Sequence, residues 1–241
     1  DTLNIVNTAD GTTAFDTNND VFETINLIPY SATADLTITT GAYALGAGQT
    51  LTINAGGLAA GNVVTITGTS AVSPLNITTG PAADVIVGGT NADIISSGDG
   101  NDTITTTGPV GDVVDAGGGN DIINLGSGAD NITAGAGNDT IAAGANLKNT
   151  DTVDGGAGTD TMTINAAVSN SSVMGGVSNI EVINVTGANN TTADGAMGGA
   201  STFVINDNNA QILTLGGLGK TWTPDTVVSV TAVLLLLIRK C

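Results

Sequence analysis

The residues of this sequence best suited to chemistry are nine aspartates that recur between Thr79 and Thr163. Successive aspartates are separated by 9, 9, 10, 9, 9, 9, 12 and 9 residues. They are Asp84, Asp93, Asp102, Asp112, Asp121, Asp130, Asp139, Asp151 and Asp160. A single aspartate after glycines is usually a turn former, but nine in phase indicate a repeated unit with a shared role. Carboxylates in this pattern predict a repeated site for a hard cation.

Each repeat aspartate is followed two positions later by an apolar residue and preceded by a glycine-rich stretch. The apolar residues are Ile86, Ile95, Ile104, Val114, Ile123, Ile132, Ile141, Val153 and Met162. All but Met162 are β-branched, which suits a short strand with one inward side chain. The glycines, clearest at 88–89, 117–119 and 155–158, permit positive φ and a close approach of carbonyl oxygens to an ion.

This pattern predicts an all-β fold, a right-handed parallel β-solenoid. Each repeat is expected to be a tight turn followed by a strand of about three residues, with strands stacked about 4.8 Å apart. Two repeats then complete one turn, so alternate aspartates lie on the same side. The expected first row is Asp84, Asp102, Asp121, Asp139 and Asp160, and the second row is Asp93, Asp112, Asp130 and Asp151.

Stacked carboxylates should repel one another unless a cation separates them. Two unit charges 4 Å apart cost about 4 kcal/mol at an effective dielectric of 20, so we expect the calcium-free coil to be unstable. Ca²⁺ binds six to eight oxygens from carboxylates and carbonyls, whereas Mg²⁺ needs a smaller, rigid octahedron. The two rows offer four and three slots between loops, and we expect roughly five to seven Ca²⁺ ions in them.

The repeat closely resembles the RTX motif GGxGxDxUx, a calcium-binding β-roll signature. The resemblance covers about 85 residues and implies calcium between successive turns and one-step (type I) secretion. Its usual hosts are toxins, proteases, lipases, adhesins and surface-layer proteins. Two loops depart from the motif: residues 107–112 lack the double glycine, and residues 145–150 carry a three-residue insertion. Calcium binding is least expected at those two loops.

The composition argues against enzymatic and nucleic-acid functions. The chain has no histidine and one cysteine, which excludes Ser-His and Cys-His nucleophile pairs. Its only basic residues are Lys148, Lys220, Arg239 and Lys240, against a formal net charge of −18, so no basic footprint for a phosphate backbone exists. Glycoside hydrolysis would need a deep cleft with aromatic platforms, and aromatic residues make up 2% of the chain. We therefore expect no enzyme and no nucleic-acid partner.

Four segments are predicted along the chain. Residues 1–78 form an irregular β-solenoid flank, residues 79–165 the calcium-binding β-roll, and residues 166–225 a second flank. Residues 226–241 form an atypical apolar tail, too short at about 12 apolar residues for the ~18 that span a membrane. The tail admits a buried or paired strand, a sequence artefact or an anchor. No membrane insertion is expected from it.

The two flanks resemble each other. Residues 1–5 match 160–164, and residues 22–27 match 180–185, at offsets of 159 and 158 residues. Asp1 thus takes the position of a repeat aspartate, and we expect the chain to be part of a longer array. Thr- and Asn-rich, lysine-poor segments beside RTX repeats are similar in style to RTX-type bacterial surface-layer proteins and adhesins.

The resulting functional hypothesis is a calcium-binding structural segment of a secreted surface-layer protein. Calcium ions would drive folding outside the cell, and the segment would self-associate in a lattice on the bacterial cell surface. The alternative is a calcium-dependent folding and secretion module of an RTX adhesin, toxin or secreted hydrolase.

Overall fold

The structure, a computed structural model, consists of short parallel strands and contains no α-helix among the residues it describes. These residues are 1–7, 11–15, 23–29, 35–40, 48–69, 71–165, 173–186, 192–194, 202–206, 214–216 and 227–230. In this part of the chain no helix is long and apolar enough to cross a membrane.

One sheet contains the odd-numbered strands from β1 to β17, in chain order and all parallel. Its strands are β1 (Thr2–Asn7), β3 (Thr24–Pro29), β5 (Leu51–Asn54), β7 (Leu75–Thr78), β9 (Ile94–Ser96), β11 (Val113–Asp115), β13 (Asn131–Ala136), β15 (Thr152–Ala157) and β17 (Val177–Ser178). A 3₁₀ helix, Val173–Gly176, precedes β17.

The second sheet contains the even-numbered strands, also parallel and in chain order. Its strands are β2 (Gly11–Phe15), β4 (Leu36–Thr40), β6 (Val64–Thr67), β8 (Val85–Val87), β10 (Thr103–Thr105), β12 (Ile122–Asn124), β14 (Thr140–Gly144), β16 (Thr161–Asn165), β18 (Val182–Thr186), β20 (Thr202–Asn206) and β22 (Val227–Val230). A separate pair joins β19 (Thr192–Asp194) to β21 (Thr214–Gly216).

This strict alternation of strands between two parallel sheets confirms the predicted β-solenoid. From β1 to β16 each strand pairs with the strand two positions later, so two repeats complete one turn. The register superposes equivalent repeat positions: Ile104 pairs with Ile86 on one side and Ile123 on the other. The chain therefore returns to the same position of the repeat at every level.

The core lies between the two sheets and is built from the aliphatic residues that follow the aspartates. All nine predicted inward residues are at most 1% exposed. In contrast, the residue before each inward position faces out, as Ile122 shows at 46% exposure. Alternation along strands of three residues thus explains how a chain with few aromatic residues forms a core: small branched side chains stack in a column.

The same two sheets continue into the flanks. The part of the first flank between Asp35 and Thr79 contains strands β4 to β7, in which buried residues alternate with partly buried or exposed ones. Within the apolar tail, Val227–Val230 forms β22, which pairs with β20, and residues 231–241 lie outside the described residues. The proposed segment boundaries at 78, 165 and 225 stay predictions.

The similarity between the flanks has a structural counterpart. The carbonyl oxygen of Asp160 accepts hydrogen bonds from the N–H groups of Glu181 and Val182, and that of Asp1 accepts them from Glu23 and Thr24. Glu181 also accepts a hydrogen bond from the Asp160 N–H at 2.7 Å, and Glu23 pairs with the terminal amine of Asp1. Residues at equivalent sequence positions therefore make equivalent contacts.

Candidate metal centre

The structure places the nine predicted aspartates in the two expected rows. Each aspartate immediately precedes a strand, where the chain leaves a loop and enters a sheet. The five of the first row precede strands of the eleven-stranded sheet, and the four of the second row precede strands of the nine-stranded sheet. All nine are at most 2% exposed, although ionisable side chains are rarely buried without compensation.

One oxygen of each carboxylate is bonded to the backbone of the preceding turn. The N–H of Asp102, for example, donates to Oδ1 of Asp121 at 2.8 Å, and the N–H of Asp121 donates to Oδ1 of Asp139 at 2.8 Å. The same bond joins each neighbouring pair in both rows. The first aspartate of each row accepts instead from Val64 or Leu75. These bonds form a continuous ladder that fixes the orientation of every carboxylate.

The second oxygen of most repeat aspartates has no hydrogen-bond partner. The Oδ2 atoms without a partner belong to Asp84, Asp102, Asp112, Asp121, Asp130, Asp139 and Asp160. A buried polar atom without a partner costs on the order of 1–3 kcal/mol, and more when charged. Seven repeated instances of such an atom at equivalent positions indicate that something outside the polypeptide satisfies them.

Burial raises the pKa of eight of the nine carboxyl groups. They belong to Asp84, Asp93, Asp102, Asp112, Asp121, Asp130, Asp139 and Asp160. The pKa rises to about 7 for Asp112 and Asp121 and to about 6 for Asp84. Removal of water from the charged carboxylate is the largest cause. Backbone hydrogen bonds offset part of the rise, and repulsion between neighbouring carboxylates adds to it for Asp112 and Asp121. Loss of hydration therefore outweighs the repulsion that the sequence predicted.

The first-row loops share a backbone that only glycine tolerates. Two glycines with positive φ precede each first-row aspartate from Asp102 onward, four and two residues before it (positions −4 and −2). These glycines are Gly98 and Gly100, Gly117 and Gly119, Gly135 and Gly137, and Gly156 and Gly158. A Cβ on Gly119 would overlap the carbonyl oxygen of Gly100, and one on Gly137 would overlap that of Gly119. The carbonyl at position −2 thus faces the next loop, in the space that a side chain would fill.

Two aspartates of the second row differ from the others because their own loops satisfy the second oxygen. Oδ2 of Asp93 accepts from the N–H of Gly89 at 2.5 Å, and Oδ2 of Asp151 accepts from the N–H of Lys148 at 2.7 Å. Asp151 follows the loop with the three-residue insertion, one of the two loops at which calcium binding was least expected. The departure at Asp93 was not expected, since its loop has one of the clearest double glycines. Conversely, Asp112 keeps a second oxygen without a partner although its loop lacks that motif.

A second ladder, formed by asparagines, was missed in the sequence. The N–H of Asn120 donates to Oδ1 of Asn101 at 2.6 Å, and the N–H of Asn138 donates to Oδ1 of Asn120 at 2.6 Å. The N–H of Thr159 donates to Oδ1 of Asn138 at 2.8 Å and completes the series. These bonds run in the opposite direction to the aspartate ladder, so the first-row loops from Asp102 to Asp160 are connected by hydrogen bonds in both directions. The available signal was an Asn immediately before Asp102, Asp121 and Asp139.

A family model for the RTX calcium-binding nonapeptide repeat matches residues 78–108, 106–141 and 149–163. The repeat block of this chain therefore carries RTX calcium-binding repeats. The match omits residues 142–148, most of the loop with the insertion. Neither a search of curated proteins nor a search of solved structures gave a match.

The RTX repeats are calcium-binding, and the described residues fit that ion. Hard oxygen donors face each first-row slot: a buried carboxylate oxygen without a partner and a carbonyl oxygen held free of side chains. No three acidic or cysteine side chains converge on one point in the described ranges, and backbone carbonyl oxygens or water would complete the coordination shell of a bound ion. Assignment of the nine aspartates as the ligands stays a prediction, as does the number of ions.

Proposed function

We propose that this chain is the calcium-binding structural segment of a secreted surface-layer type protein. Calcium ions drive its folding outside the cell and its assembly into a lattice on the bacterial cell surface. Proteins with RTX repeats are typically secreted, which supports the proposed location. The role as a lattice component is supported by the charge and the exposed aliphatic residues of the outer surface.

The observation that carries the proposal is the column of buried carboxylate oxygens without a partner. With calcium absent, each such oxygen must be protonated or remain a buried charge, and both states weaken the coil near pH 7. At about 1 mM free Ca²⁺ and a site Kd near 10⁻⁴ M, each occupied slot adds about 1.4 kcal/mol. Several slots together then match the stability of a typical domain, about 5–15 kcal/mol. Folding therefore follows the rise in calcium on leaving the cell.

Features of the outer surface support lattice assembly. The formal net charge of −18 keeps copies of the chain apart at low calcium. Aliphatic residues nevertheless project from both sheets, with Val85 and Ile122 on one, and Ile94 and Val113 on the other. Ile94 and Val113 are paired in register. Once calcium lowers the charge, such faces are able to meet their counterparts on other copies.

We also propose that the segment has no catalytic activity. In each repeat aspartate Oδ1 is committed to a backbone N–H, which holds the carboxylate in a fixed structural ladder. A general acid or base needs a proton-exchanging group that reaches a substrate, and these carboxylates are buried in the wall of the coil. The low content of basic residues likewise supports partners other than nucleic acids.

Electron microscopy and light scattering test the lattice role. The chain is examined at equal ionic strength with Ca²⁺, with Mg²⁺ and with EGTA. Ordered sheets or a defined higher oligomer with Ca²⁺ alone support the proposal. A folded monomer at all protein concentrations with Ca²⁺ overturns the lattice role and leaves a monomeric calcium-binding module.

A further inference from the structure

Lys148 is the only basic residue of the repeat block. It lies in the loop with the insertion, between β14 and β15, where the spacing of the aspartates increases from 9 to 12 residues. This loop forms one wall of the last slot of the second row. The other wall is the loop at residues 126–130, which ends in Asp130 and lies one turn earlier.

The ammonium group of Lys148 contacts backbone carbonyl oxygens of that earlier loop. Nζ donates to the carbonyl oxygen of Ser127 and, at 3.3 Å, to that of Gly128. Gly128 lies two residues before its repeat aspartate, the same position as Gly119 before Asp121. The carbonyl of Gly119 is one of those that face a first-row slot. Lys148 therefore places a positive charge on a carbonyl that is equivalent to the proposed calcium-facing ones.

The same slot contains a buried carboxylate that needs a cation. Asp130 is 1% exposed, and its Oδ2 has no hydrogen-bond partner. The ammonium of Lys148 donates to carbonyl oxygens three and two residues before Asp130, so its positive charge lies at the same loop as this carboxylate.

The inserted residues hold Lys148 in this position. Leu147 is buried in the core at 3% exposure. The side-chain amide of Asn146 donates to the carbonyl oxygen of Leu125 at 2.6 Å. The N–H of Lys148 donates to Oδ2 of Asp151 at 2.7 Å, so both oxygens of Asp151 already accept backbone hydrogen bonds. The insertion therefore supplies a cation and also satisfies Asp151 without one.

We propose that the ammonium of Lys148 replaces Ca²⁺ in the slot between residues 126–130 and 144–151. This inference rests on the proposed function, since it assumes that other slots hold calcium. Its consequence is that one level of the coil, the pairing of β13 with β15, is stabilised independently of calcium. The second row then ends in a permanent cation, and within that row calcium controls only the earlier levels.

Native mass spectrometry at saturating Ca²⁺ tests the proposal by counting ions per chain. The variants are Lys148→Met, which keeps an unbranched side chain one atom shorter but removes the charge, and Lys148→Arg as the matched control. We expect Lys148→Met to hold one more calcium ion than the wild type, because Asp130 and the two carbonyls are released. Lys148→Arg should hold the same number as the wild type. A count for Lys148→Met no higher than that of the wild type overturns the proposal.

Failures of the two proposals are distinguishable. A wild-type chain that holds no calcium contradicts the proposed function itself, whereas a calcium-loaded wild type that matches Lys148→Met contradicts only the role of Lys148. If Lys148→Met does not fold, amine acylation of the calcium-saturated wild type decides. Slower acylation of Lys148 than in the urea-unfolded chain supports the proposal, and acylation at the unfolded rate overturns it.

Discussion

The N–H of Asp102 donates to Oδ1 of Asp121 at 2.8 Å, and this bond leaves Oδ2 of Asp121 buried without a partner. One carboxylate therefore performs two separate tasks. Oδ1 connects two turns of the backbone, and Oδ2 remains available to an ion. The two tasks respond differently to substitution, which makes them experimentally separable.

Asp121→Asn and Asp121→Ala separate the two tasks. Asparagine retains an oxygen for the Asp102 N–H but loses the charge, so it should raise the calcium concentration at the folding midpoint. Alanine also leaves a buried N–H unpaired, which costs a further ~1–3 kcal/mol. Denaturant unfolding at saturating Ca²⁺ measures the difference. Equal free energies of unfolding for the two variants would show that the ladder bond has no stabilising role.

Gly119→Ala should prevent or severely weaken calcium-dependent folding. Gly119 has φ +129°, and a Cβ there would overlap the carbonyl oxygen of Gly100. A strained residue of this kind costs on the order of 1–3 kcal/mol before the overlap is counted. Gly57→Ala is the matched control, since Gly57 has open space around its Cβ position. Similar calcium midpoints for the two variants, measured by circular dichroism, would contradict the described loop.

Ile123→Ala should destabilise the calcium-loaded chain by about 2–5 kcal/mol, since a buried branched side chain would be replaced by a cavity. Its neighbour Ile122 is 46% exposed whereas Ile123 is 0% exposed, and Ile122→Ala should change the free energy of unfolding by no more than about 0.5 kcal/mol. Thermal or denaturant unfolding compares them. A larger effect at Ile122 would mean that the inward and outward positions are exchanged.

Acidification should stabilise the calcium-free chain and weaken calcium binding. In the folded state the pKa of Asp112 and Asp121 is raised to about 7 from the usual 3.8. A raised pKa means that the folded state binds protons more tightly than the unfolded state. The resulting stabilisation is fully present below pH ~3.8 and is lost as the pH rises towards 7.

The measurement is circular dichroism in EGTA between pH 4 and pH 8, beside calcium titrations at the same pH values. We expect the β signal in EGTA to be strongest at the acidic end, and the calcium midpoint to rise as the pH falls below about 7. A calcium-free chain that gains structure as the pH rises would show that the buried carboxyls do not control folding.

The sequence predicted the features that depend on local periodicity. The interval between aspartates and the aliphatic residue two positions later determine strand, turn and inward face, and so they predicted the two sheets, the inward column and both rows. Contacts between turns were harder to predict, because they join residues 18 to 21 positions apart. The Asn101–Asn120 bond and the contact of Lys148 with Gly128 are of this kind.

The sequence also did not predict whether the second carboxylate oxygen of each repeat aspartate has a hydrogen-bond partner. A double glycine precedes Asp93 but not Asp112, yet Gly89 N–H satisfies Oδ2 of Asp93, whereas that of Asp112 has no partner. The difference depends on how each loop closes on its own aspartate. A double glycine permits the backbone to approach the carboxylate but does not determine which atom does so.

The most direct test of calcium-dependent folding is far-UV circular dichroism during a Ca²⁺ titration, beside Mg²⁺ at equal ionic strength and neutral pH. The buried carboxylate oxygens without a partner predict a cooperative gain of β signal with Ca²⁺, and none with Mg²⁺, whose rigid octahedron fits these slots poorly. A full β spectrum in EGTA that does not change on addition of Ca²⁺ would contradict the account, since the coil would then be stable from packing alone.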